Sequence, residues 1–466
     1  MNKAAASLWS AAQAASATGG EVRGEWRADG VSIDSRTLAP GDLFVALKGP
    51  NHDGHDHVQA ALSAQAAAAM VERAPDGVAA PLLIVPDTLE GLVALARAAR
   101  ARSDARIVAV TGSVGKTGSK DMIARALATS GPVTVSAGNL NNHIGAPLSL
   151  ARLPQDAAYG VFELGMNHAR EITPLSRLVR PHVVLVTNVE AVHMEFFADV
   201  SDIAEAKAEI FAGVEPGAVA VLNRDNAHFD LLQTRAREAG IARIIAFGRG
   251  EECDARLLAY ATGSAGGEVE AEIAGERISY RIGLSGEHWA LNSVAALAAA
   301  GAAGAPIGAA ADALAGQTAL SGRGARLRLG PAGGTFEVID ESYNASPVAV
   351  AAAIRNLHRA ELAPDGRRIA VLGDMLELGE SGPAAHAALA ENLVQAEIDL
   401  VFTAGPLMAH LFDALPELLR GARAETSADL LPALRGALKA GDVVLIKGSL
   451  GMKMRPLVEA LEAAAG

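Results

Sequence analysis

The chain has 466 residues, 40 of them basic and 53 acidic, for a formal net charge of -13 at pH 7. At roughly 100–200 residues per domain this length predicts about three domains, and the acidic balance excludes nucleic acid or an anionic membrane as the main partner. Half of the residues are hydrophobic and only 4% aromatic, so alanine, leucine and valine must build the cores, in a chain too apolar to be disordered.

The first twenty residues are rich in Ala and Ser, but Ser7, Ser10, Gln13 and Ser16 interrupt any apolar signal region. They read as an ordinary first helix. A strand over 31–35, a Pro40-Gly41 turn and a strand over 43–47 follow. A helix over 58–70, a strand over 82–85 and a long Ala/Arg helix over 89–103 complete a first unit, residues 1–104. The run Arg106-Ile-Val-Ala-Val110 then reads as a strand buried on both faces. Similar runs at 159–164, 183–187, 218–222 and 241–247, with helical stretches between most of them, predict βαβ units and a doubly wound parallel sheet over 105–320. The uncharged stretch 293–311 is Ala/Gly-rich with Pro306 inside, so it reads as a buried helix and turn, not a membrane span. The pattern resets near 321–328. Strands at 335–339, 368–372, 400–403 and 443–447 define a third unit, 321–466. The fold class is α/β in three domains: a small mixed α/β domain, a central P-loop-type domain and a C-terminal Rossmann-like domain. Cys253 is the single cysteine, which rules out an intrachain disulfide and fits a reducing, cytoplasmic setting.

The strongest local signal is Thr111-Gly-Ser-Val-Gly-Lys-Thr117, set between a strand and a helix. Its glycines let backbone N–H groups turn inward around an anion, and the helix N-terminus adds its dipole. Lys116 would reach the outer phosphates and the Thr117 hydroxyl would bind Mg²⁺. Val110 occupies the place of the first Gly of a full Walker A pattern. Glu163 ends the next buried strand, and His193 follows the strand ending near Thr187 and Asn188, so both fall at the ligand-binding edge of the sheet. Asn139-Leu-Asn-Asn142 reads either as a cluster of capping turns or as a loop that bonds phosphate or substrate. Asp340-Glu-Ser-Tyr-Asn344 and Asp34-Ser35-Arg36 also follow strands, where a capping turn and a ligand contact are both open. Lys207, within Ala206-Lys-Ala-Glu-Ile210, would by itself be a solvated helix residue.

Taken together these segments resemble the Mur ligases through nearly the whole chain. The matching segments include Asp34-Ser35-Arg36, Asp53-Gly54-His55, 111–117, 138–147, Glu163-Leu-Gly165 with Asn167, Gly286-Glu-His288 with Asn292, Gly322-Arg323-Gly324, 340–347, 371–379 and Lys447-Gly-Ser449. Within the family, Asn-Leu-Asn-Asn, Tyr-Asn-Ala and Leu-Gly-Asp-Met-Leu-Glu-Leu-Gly point to the member that adds D-alanyl-D-alanine. Three positions depart from the family pattern: Gly118 for Ser or Thr, His57 for Phe, and Leu450 for a polar residue.

The resemblance implies an ATP-dependent amide ligase acting on UDP-N-acetylmuramoyl-tripeptide and D-alanyl-D-alanine through an acyl phosphate. It implies ATP contacts from Gly112, Ser113, Val114, Gly115, Lys116, Thr117, Asn292, Arg323, Asp340, Tyr343 and Asn344. It implies uridine-substrate contacts from Ser35, Arg36, Asn139 and Asn142. Thr117, Glu163, His193 and Lys207 would serve one or two Mg²⁺ ions, Lys207 as a carboxylated lysine, with Lys116, Lys207 and His193 catalytic. A monomer is expected. Two other readings stand beside this one. A ligase adding the third amino acid is disfavoured by the lack of its Asp-Asn-Pro-Arg motif, and a non-ligating P-loop ATPase by the complete first domain.

Overall fold

The computed structural model describes residues 7–50, 52–75, 81–192, 194–263, 266–319, 321–330 and 334–465. Among them the strands form four sheets. In the first unit, Gly30–Ser32, Asp42–Val45, Ala68–Val71 and Leu82–Ile84 pair in parallel, and Glu21–Arg23 adds an antiparallel edge. The helix expected over 58–70 is a correction. It runs only over Val58–Ser63, and Ala68–Val71 is a fully buried strand. Gln65, at φ 67°, turns the chain out of the helix. The alanines on either side favour a helix in isolation, but burial between two parallel strands overrides that preference.

The central sheet has nine strands. Its parallel part runs Val133–Val135, Tyr159–Glu163, Arg106–Thr111, Val183–Val186, Val219–Asn223, Arg243–Gly248 in spatial order. An antiparallel meander, Ala255–Gly263, Gly266–Ile273 and Glu276–Ile282, extends one edge. The sequence reading had no strands there, because charged residues alternate along its solvent face while Ala255, Leu257, Val269, Ala271, Ile273, Tyr280 and Ile282 are buried. The stretch 293–311 does lie in helices, Glu287–Ala302 and Ile307–Ala313, with Pro306 as the N-cap of the second. No helix among the described residues is long and apolar enough to cross a membrane. The third unit is a six-stranded sheet in which only Ala325–Leu329 runs antiparallel.

The first and central units are not independent bodies. One apolar core runs from Trp9 to Ala246. The helix Thr88–Arg102 packs on the helices Ala11–Thr18 and Gly145–Ala151. The Trp9 indole N–H donates to the Ala151 carbonyl at 3.0 Å, and Arg152 reaches back to the Val31 carbonyl at 2.7 Å. The third unit has cores of its own, built from residues 338–461.

Candidate active site

Register brings the site together. Glu163 lies beside Val110 on the neighbouring parallel strand, so both strand ends open onto the same edge. Past Val110 the chain turns through Gly112, at φ 149°, and Gly115, at φ 84°. A Cβ at Gly112 would fall 2.0 Å from the Thr187 hydroxyl, so only glycine lets the loop lie this close to the next strand. Thr187 Oγ1 donates to the Val114 carbonyl at 2.6 Å, Ser113 N donates to the Asn188 carbonyl, and the Ser113 hydroxyl exchanges bonds with the Glu190 backbone. The helix Lys116–Leu127 starts at Gly115, aiming its free N–H groups at the cradle.

Under that helix start, Thr117 Oγ1 donates to Glu163 Oε2 at 2.8 Å, and Asn141 Nδ2 donates to Glu163 Oε1 at 2.7 Å. Gly165 makes the second contact possible, since a Cβ there would lie 2.7 Å from the Asn141 amide. Lys116 Nζ bonds to the carbonyls of Gly112 at 2.6 Å and Ser113 at 3.3 Å. Burial lowers its pKa, with Glu163 opposing and Arg323 adding to the shift. Lys207, on the helix Val200–Ala208, is only 1% exposed. Burial first and the Lys116 charge second push its pKa well below the ordinary lysine value, while Glu163 and Glu209 oppose them. A hydroxyl and a carboxylate at the phosphate loop are the hard oxygen donors that Mg²⁺ takes. They would supply two of its ligands, the rest being left to water and phosphate oxygens.

The other predicted residues fall in different settings. Arg323 stacks 3.9 Å over the Tyr343 ring and shares the electrostatic field of Lys116, so the third unit faces the phosphate loop. The Asn292 amide lies 3.1 Å from where a Cβ at Gly115 would be, so it stands directly over the phosphate loop. Asp340 is fully buried and accepts from Gly322 N, Ser342 and Arg455, an arrangement that holds the turn in place. Asn344 Oδ1 accepts from Ala345 N, and its carbonyl accepts from Lys447. Arg36 makes a bidentate pair with Asp34, which the contact pulls down to about 2, and its side chain is otherwise in solvent. Ser35 stands beside it on the same exposed turn. Asn142 Oδ1 accepts from Ile144 N and Gly145 N in the turn that leads into the helix Gly145–Ala151, while Asn139 sits exposed in the loop. His193 lies outside the described residues.

Sequence reasoning missed Asn141, the one of the three asparagines that touches Glu163. It also passed over Lys120, which is buried and donates to the carbonyls of Ser136 at 2.8 Å and Gly138 at 3.0 Å, tying the asparagine loop to the nucleotide helix. Trp289 accounts for one departure: a Cβ at position 118 would lie 2.1 Å from its ring, so glycine is the residue that fits.

A phosphate loop with a buried carboxylate, faced by a Rossmann-like unit, fits an ATP-dependent ligase. Family models agree. The Mur ligase middle domain matches residues 110–300, the Mur ligase glutamate ligase domain 325–450, and the Mur ligase family catalytic domain 27–102. The UDP-N-acetylmuramoyl-tripeptide--D-alanyl-D-alanine ligase of Rickettsia prowazekii is 30% identical over 97% of this chain and 99% of its own. That of Escherichia coli is 35% identical over 95% and 96%. Among solved structures, MurF from Acinetobacter baumannii superposes with a TM-score of 0.84 at 28% identity, covering 98% and 99% of the two chains. MurF from Thermotoga maritima in complex with ADP does so at 0.75 and 26%, covering 93% and 97%. The chain belongs to the Mur ligase family.

Proposed function

We propose that this ligase joins D-alanyl-D-alanine to the terminal carboxylate of UDP-N-acetylmuramoyl-tripeptide, giving the pentapeptide, ADP and phosphate. The observation that carries the reading is the Glu163 carboxylate, held between Thr117 and Asn141 at the mouth of the phosphate loop, in a chain similar to such ligases over nearly its full length. The substrate carboxylate attacks the γ-phosphate of ATP and ADP leaves. The amine of D-alanyl-D-alanine then attacks the acyl phosphate, losing a proton as the C–N bond forms, and phosphate departs. The first step needs positioning and charge neutralisation more than proton transfer. The backbone of Gly112 to Gly115 cradles phosphate, and Lys116 offsets the charge of two anions brought together. Arg323 approaches from the third unit.

Thr117 and Glu163 would hold Mg²⁺, which neutralises phosphate charge when bound; His193 and Lys207 join them in our reading. A neutral, buried Lys207 amine can add CO₂ and lose a proton, turning a cation that repels the metal into an anion that binds it. Ser35, Arg36, Asn139 and Asn142 are assigned to the uridine substrate, with Asn292, Asp340, Tyr343 and Asn344 around the nucleotide. The enzyme acts as a monomer in the cytoplasm, where its nucleotide substrates are made. The test is phosphate release from ATP with the muramoyl tripeptide, with and without D-alanyl-D-alanine. Release that needs both, with a pentapeptide detected by mass, is the expected result. Release that needs neither would leave a P-loop ATPase.

A further inference from the structure

The ligation chemistry leaves one buried cation unused. Lys120 is 1% exposed and lies on the helix Lys116–Leu127, three residues after Thr117. Its ammonium donates to the Ser136 carbonyl at 2.8 Å and the Gly138 carbonyl at 3.0 Å, and the Asp121 carboxylate lies 3.5 Å away. Gly138 presents its carbonyl from a left-handed turn at φ 50°, a conformation that glycine takes readily. All three N–H donors of the ammonium therefore have an acceptor. Burying an ammonium is costly even when it is paired, and apolar side chains of similar size often serve stability as well. What a charge held on two carbonyls adds is a fixed loop.

That loop is the one that holds Glu163. Ser136 N donates to the Val161 carbonyl at 3.0 Å, and the Ser136 hydroxyl accepts from Glu163 N at 3.1 Å. Past Gly138 the chain tightens, with Leu140 N on the Ala137 carbonyl and Asn141 N on the Asn139 carbonyl. It arrives at Asn141, whose carbonyl accepts from Gly165 N at 2.9 Å and whose amide donates to Glu163 Oε1. Lys120 clamps the near end of this loop and Gly165 the far end. The other carboxylate oxygen, Oε2, takes the Thr117 hydroxyl from the helix that carries Lys120. Helix and loop thus hold one oxygen each of the same carboxylate, and Lys120 ties the two together.

We infer that Lys120 is a positioning residue for the metal ligands, setting the orientation of Glu163 through the asparagine loop and Asn141. The inference rests on the reading of Thr117 and Glu163 as Mg²⁺ ligands given above. Their oxygens stand 2.8 Å apart, about the spacing of neighbouring corners in the octahedron that Mg²⁺ demands. If both oxygens turn to a cation, their mutual hydrogen bond is lost and the Asn141 amide remains to orient the carboxylate. Slack at the near end of the loop then reaches the cation site through Asn141. Outer partners of metal ligands are worth about 10- to 100-fold in metal affinity.

The experiment measures ADP binding to the full chain by calorimetry, with Mg²⁺ and with EDTA, and the Mg²⁺ concentration that half-saturates ligation. The variants are Lys120→Met, Asn141→Ala and the pair. Lys120→Met should raise the half-saturating Mg²⁺ about 10- to 100-fold, with most of kcat recovered at high Mg²⁺. ADP binding in EDTA should stay as in the wild type, a result that general damage to the nucleotide site would not give. Asn141→Ala should do the same, and the pair should be little worse than either alone, because both act through Glu163. Should Lys120→Met fail to fold, Lys120→Gln keeps an N–H donor at the loop and carries the comparison with a smaller rise. An unchanged Mg²⁺ requirement in the folded variant, an equal loss of ADP affinity with and without Mg²⁺, or fully additive losses in the pair would overturn the inference. Each of these outcomes leaves pentapeptide formation by the wild type intact. Absence of pentapeptide from the wild type would overturn the ligase reading instead, with Mg-ADP binding still there to judge Lys120.

Discussion

Lys116 and Lys207 share one buried field in which Glu163 is the common counter-charge, and their roles diverge because their surroundings do. Lys116 rests on two loop carbonyls, so its charge is fixed where the phosphates arrive. Removing one such preorganised charge costs an enzyme roughly 10²–10³ in rate, and Lys116→Ala should lose at least that in ligation; near wild-type turnover would sink the phosphate-loop assignment. The Lys207 amine makes no hydrogen bond among the described residues, and as an ammonium beside Lys116 it would only weaken a cation site. If it works as a carbamate, Lys207→Ala should be inactive and partly rescued by a short carboxylic acid, and depletion of bicarbonate should slow the wild type. No rescue and no bicarbonate effect would return Lys207 to a packing role.

At the scale of elements, two helices that meet face to face decide what the nucleotide end of the site tolerates. Lys116–Leu127 packs on Glu287–Ala302, and the Trp289 ring fills the space over Gly118. Gly118→Ser restores the commoner family residue but drives a Cβ to 2.1 Å from that ring. Overpacking of this kind costs about 1–3 kcal/mol, so the variant should melt earlier and bind ATP more weakly. Adding Trp289→Leu should return most of the stability; an unchanged melting temperature for Gly118→Ser alone would show that the ring moves freely.

The same pair marks how far the sequence could be read. The phosphate loop, its flanking strand and helix, and Glu163 were legible because strand, turn and helix signals are contiguous there. The fit of Gly118 to Trp289 joins positions far apart in the chain, so Gly118 looked like a bare departure. Asn141 could not be told from Asn139 and Asn142, because only the turn decides which amide faces Glu163. Lys120 drew no attention, because its burial and its bonds to the carbonyls of Ser136 and Gly138 exist only once the chain is folded. The helix drawn through Ala68–Val71 followed alanine's local preference where sheet burial decides.

Across the whole molecule, three units by topology are two by packing. The continuous core from Trp9 to Ala246 should make the first and central units unfold together, while the C-terminal unit, with its own cores, unfolds apart. It meets the central unit through loops, as where Glu195 N reaches the Glu377 carbonyl at 3.4 Å. Calorimetry of the full chain should therefore resolve two transitions, and Trp9→Ala, at about 3–5 kcal/mol for a buried Trp, should lower only the larger. Each unit also carries a histidine whose folded form excludes a proton. His182 Nδ1 accepts from Ile107 N, and His386 accepts from Met375 N at one ring nitrogen while facing the Gly382 carbonyl with the other. Burial lowers both pKa values below the ordinary 6.5. The unfolded chain then binds more protons than the folded one, so this stability is complete above about pH 6.5 and is lost progressively as the pH falls below it. Both transitions should move down between pH 7.5 and about 5.5, before the carboxylates titrate. Because the nucleotide would lie where Arg323 faces Lys116, Mg-ADP should raise both transitions together. A single transition without ligand would mean that the loop contacts already couple the units. Two transitions of which only the larger responds to Mg-ADP would mean that the C-terminal unit stands clear of the nucleotide.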